Sequence, residues 1–405
     1  MSMKNKKILI VGNLYPLAKK LSTEVEKVFV APGNAVISEF AECVDIREDK
    51  STELLNFAFE NDIDLTIVVS EKAIASDIAE IFQANEKLIF APSPASATFA
   101  LNKSQGKRFL YKLHVPTPKF GIFEKLPLAV DYLKDAVYPL VVRADVSDNN
   151  DRLCCTNFER AKYFTEELFA RGESRIVIEE YAYGHEFSMY FVTDGYHALP
   201  FATVSNYKFT ENGDGGYLTS GVGCFAPAYK IPAEIQHEIL KNVVNNALSS
   251  LEKKGTPYMG FLGVDVVLTA EDSYAVLEFK PFLQDFDAQA VLNNLDEDLV
   301  DLFEACANGF FADEYEDILT NDNVSVSCVV KSRKNDVVIP NLDLVESMVS
   351  YLNVAKDSNG QYRALQGDVL ILTACAKTLS RAKTILKEDL ELITFDGIKY
   401  RSDIC

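Results

Sequence analysis

The sequence predicts an α/β protein that passes into α+β structure, and three observations predict it. Short apolar runs alternate with amphipathic stretches through the first hundred or so residues; strands then dominate, with occasional helices between them; and near residues 260–280 two acid-bearing strands are joined by a short turn. The first pattern is that of a parallel sheet wrapped by helices. With 405 residues, 48% hydrophobic and 25% charged, the chain is long enough for about two to four packed domains.

In chain order, KILIV is the first strand, followed by a helix around Leu17 to Val28, the strand VFVA, a helix near Thr52 to Asn61, the strand LTIVV, a further helix and the strand LIFA. Ligands of such sheets gather at the carboxyl ends of strands, where Gly12, the turn from Ala31 to Asn34 and the stretch from Val69 to Glu71 fall. Beyond them PLVVRAD, IVIEEYAYG, SMYFVTDG and FATVSNYKF read as strands, with a helix at Asn157 to Gly172. Between Asn212 and Pro227, NGDGGYLTSGVGCFAP holds five glycines, a density that argues against an element interior and suits a backbone lying close to a ligand. A helix near Ala233 to Lys253 precedes GFLGVDVVL and YAVLEFK, two strands joined by TAEDS. The closing region, with SVSCVV, DVLILTACA and a helix at Thr378 to Leu390, reads as a small separate unit.

Composition excludes several classes. The opening MSMKNKKILIVG is basic, but its short apolar run lacks a small-residue cleavage site and reads as a strand. No stretch reaches the about 18 apolar residues of a membrane helix, so a soluble cytoplasmic protein with no membrane partner is expected. A net charge of −20 repels nucleic acid. Eight cysteines form no C-x-x-C pair and read as reduced thiols; the adjacent Cys154 and Cys155 are a redox feature or idle thiols. Four histidines leave little for a zinc site or a catalytic triad.

The chemistry is expected on the late hairpin. If it is symmetrical about Ala270 to Ser273, Asp265 and Glu278 oppose one another, and both interrupt strongly apolar runs. A buried acid needs a partner, either a magnesium ion held against phosphate oxygens or lysines such as Lys280. A second acidic cluster, Glu179, Glu180 and Glu186 in IVIEEYAYGHEFS, suits an adenine amino group and ribose hydroxyls, or is simply solvated.

Taken in order, LIFAPSPASATFALNKSQGKRFL, YPLVVRAD, VIEEYAYGHEFS, FATVSNYKFTENGDGGYLTSGVGCFAP, PYMGFLG, VLEFK and GDVLILTACAKTLSRAKTILKEDLELITFDGIKYRSDIC resemble the phosphoribosylamine–glycine ligase family from end to end. The resemblance implies an ATP-grasp fold: an N-terminal α/β domain at 1–102, an ATP-grasp domain at 103–322 with its nucleotide clamp at about 118–190, and a C-terminal domain at 323–405. It implies a monomer that uses ATP and magnesium (or manganese) to join glycine to phosphoribosylamine in purine synthesis, through an acyl phosphate. By position, Lys103 and Arg143 would face phosphates or adenine, Glu179, Glu180 and Glu186 the base and ribose, and Glu278 the metal. Lys208 and the segment around Asp214, Gly221 and Gly223 would handle glycine and the acyl phosphate, and Gly33 and Asn34 the phosphoribosylamine.

Several positions depart from the family pattern. The family's glycine-rich turn with an Arg-Glu-His run is replaced by the shorter VGNLYPLAKKL. Its lysine and glycine-rich flap become RADVSDNNDRL, with arginine at 143 and no glycine before Leu153. Its Glu-x-Asn-x-Arg motif becomes Glu278, Phe279, Lys280, Pro281, Phe282. Asp265 stands where more distant ATP-grasp ligases place a magnesium-binding acid, so the metal site is either rebuilt as Asp265 with Glu278, with Lys280 as phosphate cation, or lost. The first alternative is a working ligase, with the same or a different amine substrate; the second is a non-catalytic relative that binds a nucleotide or partner; a sheet-based module with no nucleotide is the third.

Overall fold

The computed structural model describes residues 4–146, 152–229, 231–270 and 273–404. Most of the expected flap, residues 147–151, and the tip of the late hairpin, 271–272, fall outside them.

The N-terminal sheet is parallel because its strands are apolar on both faces. It contains β1 (Lys4–Val11), β2 (Val25–Ala31), β3 (Glu42–Cys43), β4 (Leu65–Val68) and β5 (Ile89–Phe90), in the order β3-β2-β1-β4-β5. Ile8 to Val11 are fully buried, their side chains dividing between two cores on opposite faces. The helix after β1 is shorter than the sequence suggests, Tyr15–Leu21, since Val25 already pairs with Lys4 in the sheet. Ser51–Glu60 forms the expected second helix. Phe90, at the end of this sheet, stacks on Phe303 with centroids 4.7 Å apart and meets the edge of Phe261 at 5.2 Å, fixing the N-terminal unit to the rest of the chain.

Two further helices, Pro94–Leu101 and Lys103–Lys112, lead to a four-stranded antiparallel sheet. Its members are β6 (Phe120–Phe123), β7 (Leu140–Ala144), β8 (Arg152–Cys155) and β9 (Ile176–Glu180), in the order β6-β9-β7-β8. The helix Phe158–Ala170, capped by the Asn157 side chain, covers one face with Phe164 and Leu168. The opposite face carries Arg143 and Glu179.

The third sheet meets that polar face. Strands β10 (His185–Gly195), β11 (Ala198–Glu211), β12 (Gly215–Ala226), β13 (Tyr258–Ala270) and β14 (Ser273–Lys280) form most of it. Most of the glycine-rich stretch that reads as a ligand-approaching loop, from Gly215 to Ala226, is in fact strand β12, paired with β11; only Asn212–Asp214 is a turn. Gly223 serves strand packing: a Cβ there would lie 2.6 Å from the Ser327 carbonyl oxygen of the neighbouring strand. The helix expected at 233–253 is present, interrupted by a π-helical turn at Ile239–Val244.

The segment expected as a small separate unit shares this sheet. Strand β15 (Val324–Ser332) pairs with β12; β16 (Val337–Val338), β18 (Val354–Lys356) and β19 (Tyr362–Ala364) form a small sheet of their own; and β17 (Met348–Tyr351), β20 (Gly367–Ala376) and β21 (Ile398–Lys399) extend the main one, giving nine strands. The helix Leu379–Leu392, capped by Thr378, packs on its apolar face. Among the described residues, no helix is long and apolar enough to cross a membrane.

Candidate functional site

The late hairpin folds in the expected register. Asp265 lies opposite Glu278 and Ala270 opposite Ser273, so the two acids project from the same face toward the four-stranded sheet. Apart from these acids and Lys280 the buried positions of the two strands are apolar, and the polar side chains pointed into the interior must find partners there.

Glu278 finds three. The Lys103 ammonium, at the start of its helix, lies 2.9 Å away, Arg143 Nη2 on β7 2.7 Å and Arg152 Nη1 on β8 3.5 Å. Arg143 also reaches Glu179 at 3.4 Å, and Glu179 in turn pairs with the buried Lys107. Four cations therefore face two carboxylates. Burial alone would push the Glu278 carboxyl up, but the surrounding cations outweigh it and hold the group well below the usual carboxylate range. Burial pushes Lys107 down from the usual lysine range despite Glu179. Arg152 donates to the Thr219 carbonyl of β12, while its Nε is buried with no partner.

Asp265, 1% exposed, has a cation on each oxygen: Lys280 Nζ 2.8 Å from Oδ1 and Lys208 Nζ 2.8 Å from Oδ2. Ser188 Oγ adds a hydrogen bond to Oδ1 at 2.6 Å. The two ammoniums overcome burial and hold this carboxyl below its ordinary range. Lys208 is shared with Glu186 at 3.0 Å, and Lys280 lies 3.9 Å from Asp287, which accepts from Tyr190 at 2.6 Å and Asn206 at 2.7 Å.

Arg143, Glu179, Glu186, Lys208 and Glu278 thus line one cleft between two sheets, with Glu180, 3.5 Å from Lys119, and Lys103, Asp265 and Lys280 join them through ion pairs. Lys107, Arg152, Ser188 and Asp287 complete the cluster and went unrecognised in the sequence. Lys107 was detectable, since it sits one helical turn from Lys103. The free space is small, about 40 Å³, against roughly 300–1,000 Å³ for sites that enclose small molecules. A nucleotide enters only if the sheets part and the ion pairs exchange partners.

The remaining expected residues lie elsewhere. Asp214, in the turn before β12, pairs with Arg401 at 2.8 Å. Gly221 faces Phe286, and Gly223 packs against β15. Gly33, with a left-handed φ of 76°, exchanges hydrogen bonds with the Asn13 side chain, and Asn34 caps the short turn at Ile37–Glu39. Asn13 and Gly12 line a larger cavity, about 600 Å³, at the carboxyl ends of the N-terminal strands. Its wall carries Glu48, Glu71 and Asp285 against Lys72, which lies 3.7 Å from Glu48. Burial pushes the Asp285 carboxyl up to about 6. The seven described cysteines, Cys154 and Cys155 included, are free thiols.

Family comparisons place this architecture. The family model for the ATP-grasp (A) domain of phosphoribosylglycinamide synthetase matches residues 101–288, and that for its N domain residues 6–99. The phosphoribosylamine–glycine ligase of Caldanaerobacter subterraneus subsp. tengcongensis is 30% identical over 98% of this chain and 99% of its own length. That of Allochromatium vinosum is 31% identical over 98% and 97%. The chain belongs to the phosphoribosylglycinamide synthetase family. Its fold is the ATP-grasp fold: a phosphoribosylamine–glycine ligase of Thermotoga maritima superposes with a TM-score of 0.79 at 20% identity, covering 98% of this chain and 99% of that one. A biotin carboxylase of Campylobacter jejuni, solved as a complex with β,γ-ATP, superposes at 0.71 with 15% identity, covering 99% and 94%.

The family resemblance implies a magnesium or manganese ion at the late hairpin, and the residues of this chain do not fit one as they stand. Both oxygens of Asp265 carry ammonium groups, Glu278 carries two guanidiniums and an ammonium, and among the described residues no three acids, histidines or cysteines are placed to hold a metal together. The expected pairing of Asp265 with Glu278 is present as geometry, but the charge compensating it comes from the protein.

Proposed function

We propose that this member of the phosphoribosylglycinamide synthetase family is an ATP-dependent carboxylate–amine ligase acting in the cytoplasm, converting ATP, glycine and phosphoribosylamine to glycinamide ribonucleotide, ADP and phosphate. The observation that carries this reading is the convergence of Lys103, Arg143, Arg152 and Lys208, from one helix and both sheets, on one cleft of a chain whose net charge is −20. Such a cluster suits a polyphosphate. In the first step a glycine carboxylate oxygen bonds to the γ-phosphorus of ATP and the bond to ADP breaks; the four cations would offset charge on the transferring group. In the second, the amine nitrogen attacks the acyl carbon, phosphate departs and the amine loses a proton. Neither step needs a side-chain nucleophile. Glu179, Glu180 and Glu186, which line the same cleft, would meet the base and ribose once their ion pairs exchange.

A different acceptor amine is the second reading, favoured by the cavity at the strand ends. Glu48 pairs with Lys72 there, and Asp285 has no ion-pair partner among the described residues, an environment that suits a cationic amine better than a phosphate. ADP release from ATP and glycine, measured with phosphoribosylamine and with phosphate-free amines in turn, separates the two. Turnover that needs phosphoribosylamine supports the first reading; turnover only with another amine sinks it. A rise in melting temperature with ATP but no ADP release with any amine would mark a nucleotide-binding relative without turnover.

A further inference from the structure

Lys280 occupies a cage of oxygens. Its ammonium lies 2.8 Å from Asp265 Oδ1 and 3.9 Å from Asp287 Oδ2, donates to Ser188 Oγ at 3.4 Å, and sits 5.7 Å from the centre of the Tyr190 ring. The cage is held from outside: Asn206 donates to Asp287 Oδ1, Tyr190 to its Oδ2, and Ser188 lies 2.9 Å from the Asn206 side-chain oxygen. Two carboxylates and a hydroxyl are the hard oxygen donors a small divalent cation takes. Here they hold a cation that is part of the chain. A divalent ion entering the cage would meet the ammoniums of both Lys280 and Lys208, at a separation where like charges in a buried site repel strongly. Alongside, four cations face the two carboxylates of Glu179 and Glu278, and a buried guanidinium nitrogen of Arg152 has no acceptor. The cleft is short of an anion, and its acids are already neutralised.

We propose that Lys280, with Lys208, supplies the positive charge that a divalent metal would bring, so that the cleft binds a nucleotide polyphosphate as the free anion without a divalent ion. The proposal rests on the nucleotide-binding reading above and adds to it which form of the nucleotide the site takes.

Titration of the full chain with ATP by calorimetry, once in EDTA and once in millimolar magnesium chloride, tests it. Dissociation constants in the two media are expected to agree within about threefold, and manganese added alone is expected to give no bound signal by electron paramagnetic resonance. In Lys280→Asn, affinity for ATP in EDTA should fall by about tenfold or more and recover when magnesium or manganese is added. Wild-type affinity that drops by about tenfold or more in EDTA overturns the proposal while leaving the nucleotide reading standing. No binding in either medium overturns both. The wild-type comparison decides the question even if the variant does not fold.

Discussion

The cleft between the antiparallel sheets and the cavity at the carboxyl ends of the N-terminal strands are joined by the short stretch from Lys280 to Phe286, yet they hold charge in opposite ways. In the cleft, Asp265, Glu179 and Glu278 each touch cations, and about 40 Å³ is free. In the cavity, about 600 Å³ opens beside Asp285, which among the described residues has no ion-pair partner and whose carboxyl burial pushes up to about 6. Charges neutralised within the protein serve the fold first and a ligand only by exchange. A carboxyl without an ion-pair partner at a cavity wall, as at Asp285, already describes what it would attract.

Breaking the cleft network should have the largest effect. Glu278→Gln leaves Lys103, Arg143 and Arg152 crowded without their shared carboxylate, and the unfolding free energy in urea is expected to drop by about 3–5 kcal/mol. A neutral result would mean that these cations reach solvent, and the contrast between the regions would fail. Asp265→Asn should lose less, about 2–3 kcal/mol, because Lys208 keeps Glu186 and Lys280 keeps Asp287. Its pH dependence follows from a carboxyl held below its ordinary range: the stabilisation is complete above about pH 4 and is lost as pH falls toward the depressed folded value. Melting curves of wild type and Asp265→Asn should accordingly converge in acid and separate at neutral pH.

The smallest effect, with the opposite sign, is expected in the cavity. The raised carboxyl of Asp285 favours folding below about pH 4, and that contribution is lost as pH rises through about 6. Asp285→Asn should remove the dependence and melt slightly higher than wild type at pH 8, by about 1 kcal/mol of stability. A variant less stable than wild type at pH 8 would show that Asp285 has a cationic partner after all.

Much of the cleft was legible because its signals are local. The turn TAEDS and the apolar runs on either side set Asp265 opposite Glu278, and the family segments picked out Lys103, Arg143 and Lys208, which the fold brings into one ion-pair cluster. What escaped depends on pairing between distant strands. Arg152 became a cleft residue only because β8 places it directly opposite Arg143, and Asp287 because its helix passes beneath Tyr190. The glycines of 213–223 were misread for a similar reason. Gly223 needs its space because of β15, a strand about a hundred residues further on, and Gly221 because of Phe286, and no local pattern reveals either. The helix after β1 was overextended because Val25 and Val28 fit a helical stripe as well as a buried strand.

The seam between β12 and β15 runs from Gly223 opposite Cys328 to Ala226 opposite Ser325. A polypeptide shortened at residue 322 would turn that seam into a raw margin of main-chain donors and acceptors, bordered by Val222 and Phe225, and such margins seek out their own kind. The closing region therefore acts as a selvedge to the nine-stranded sheet, and trimming it would yield aggregates before it yielded a smaller enzyme.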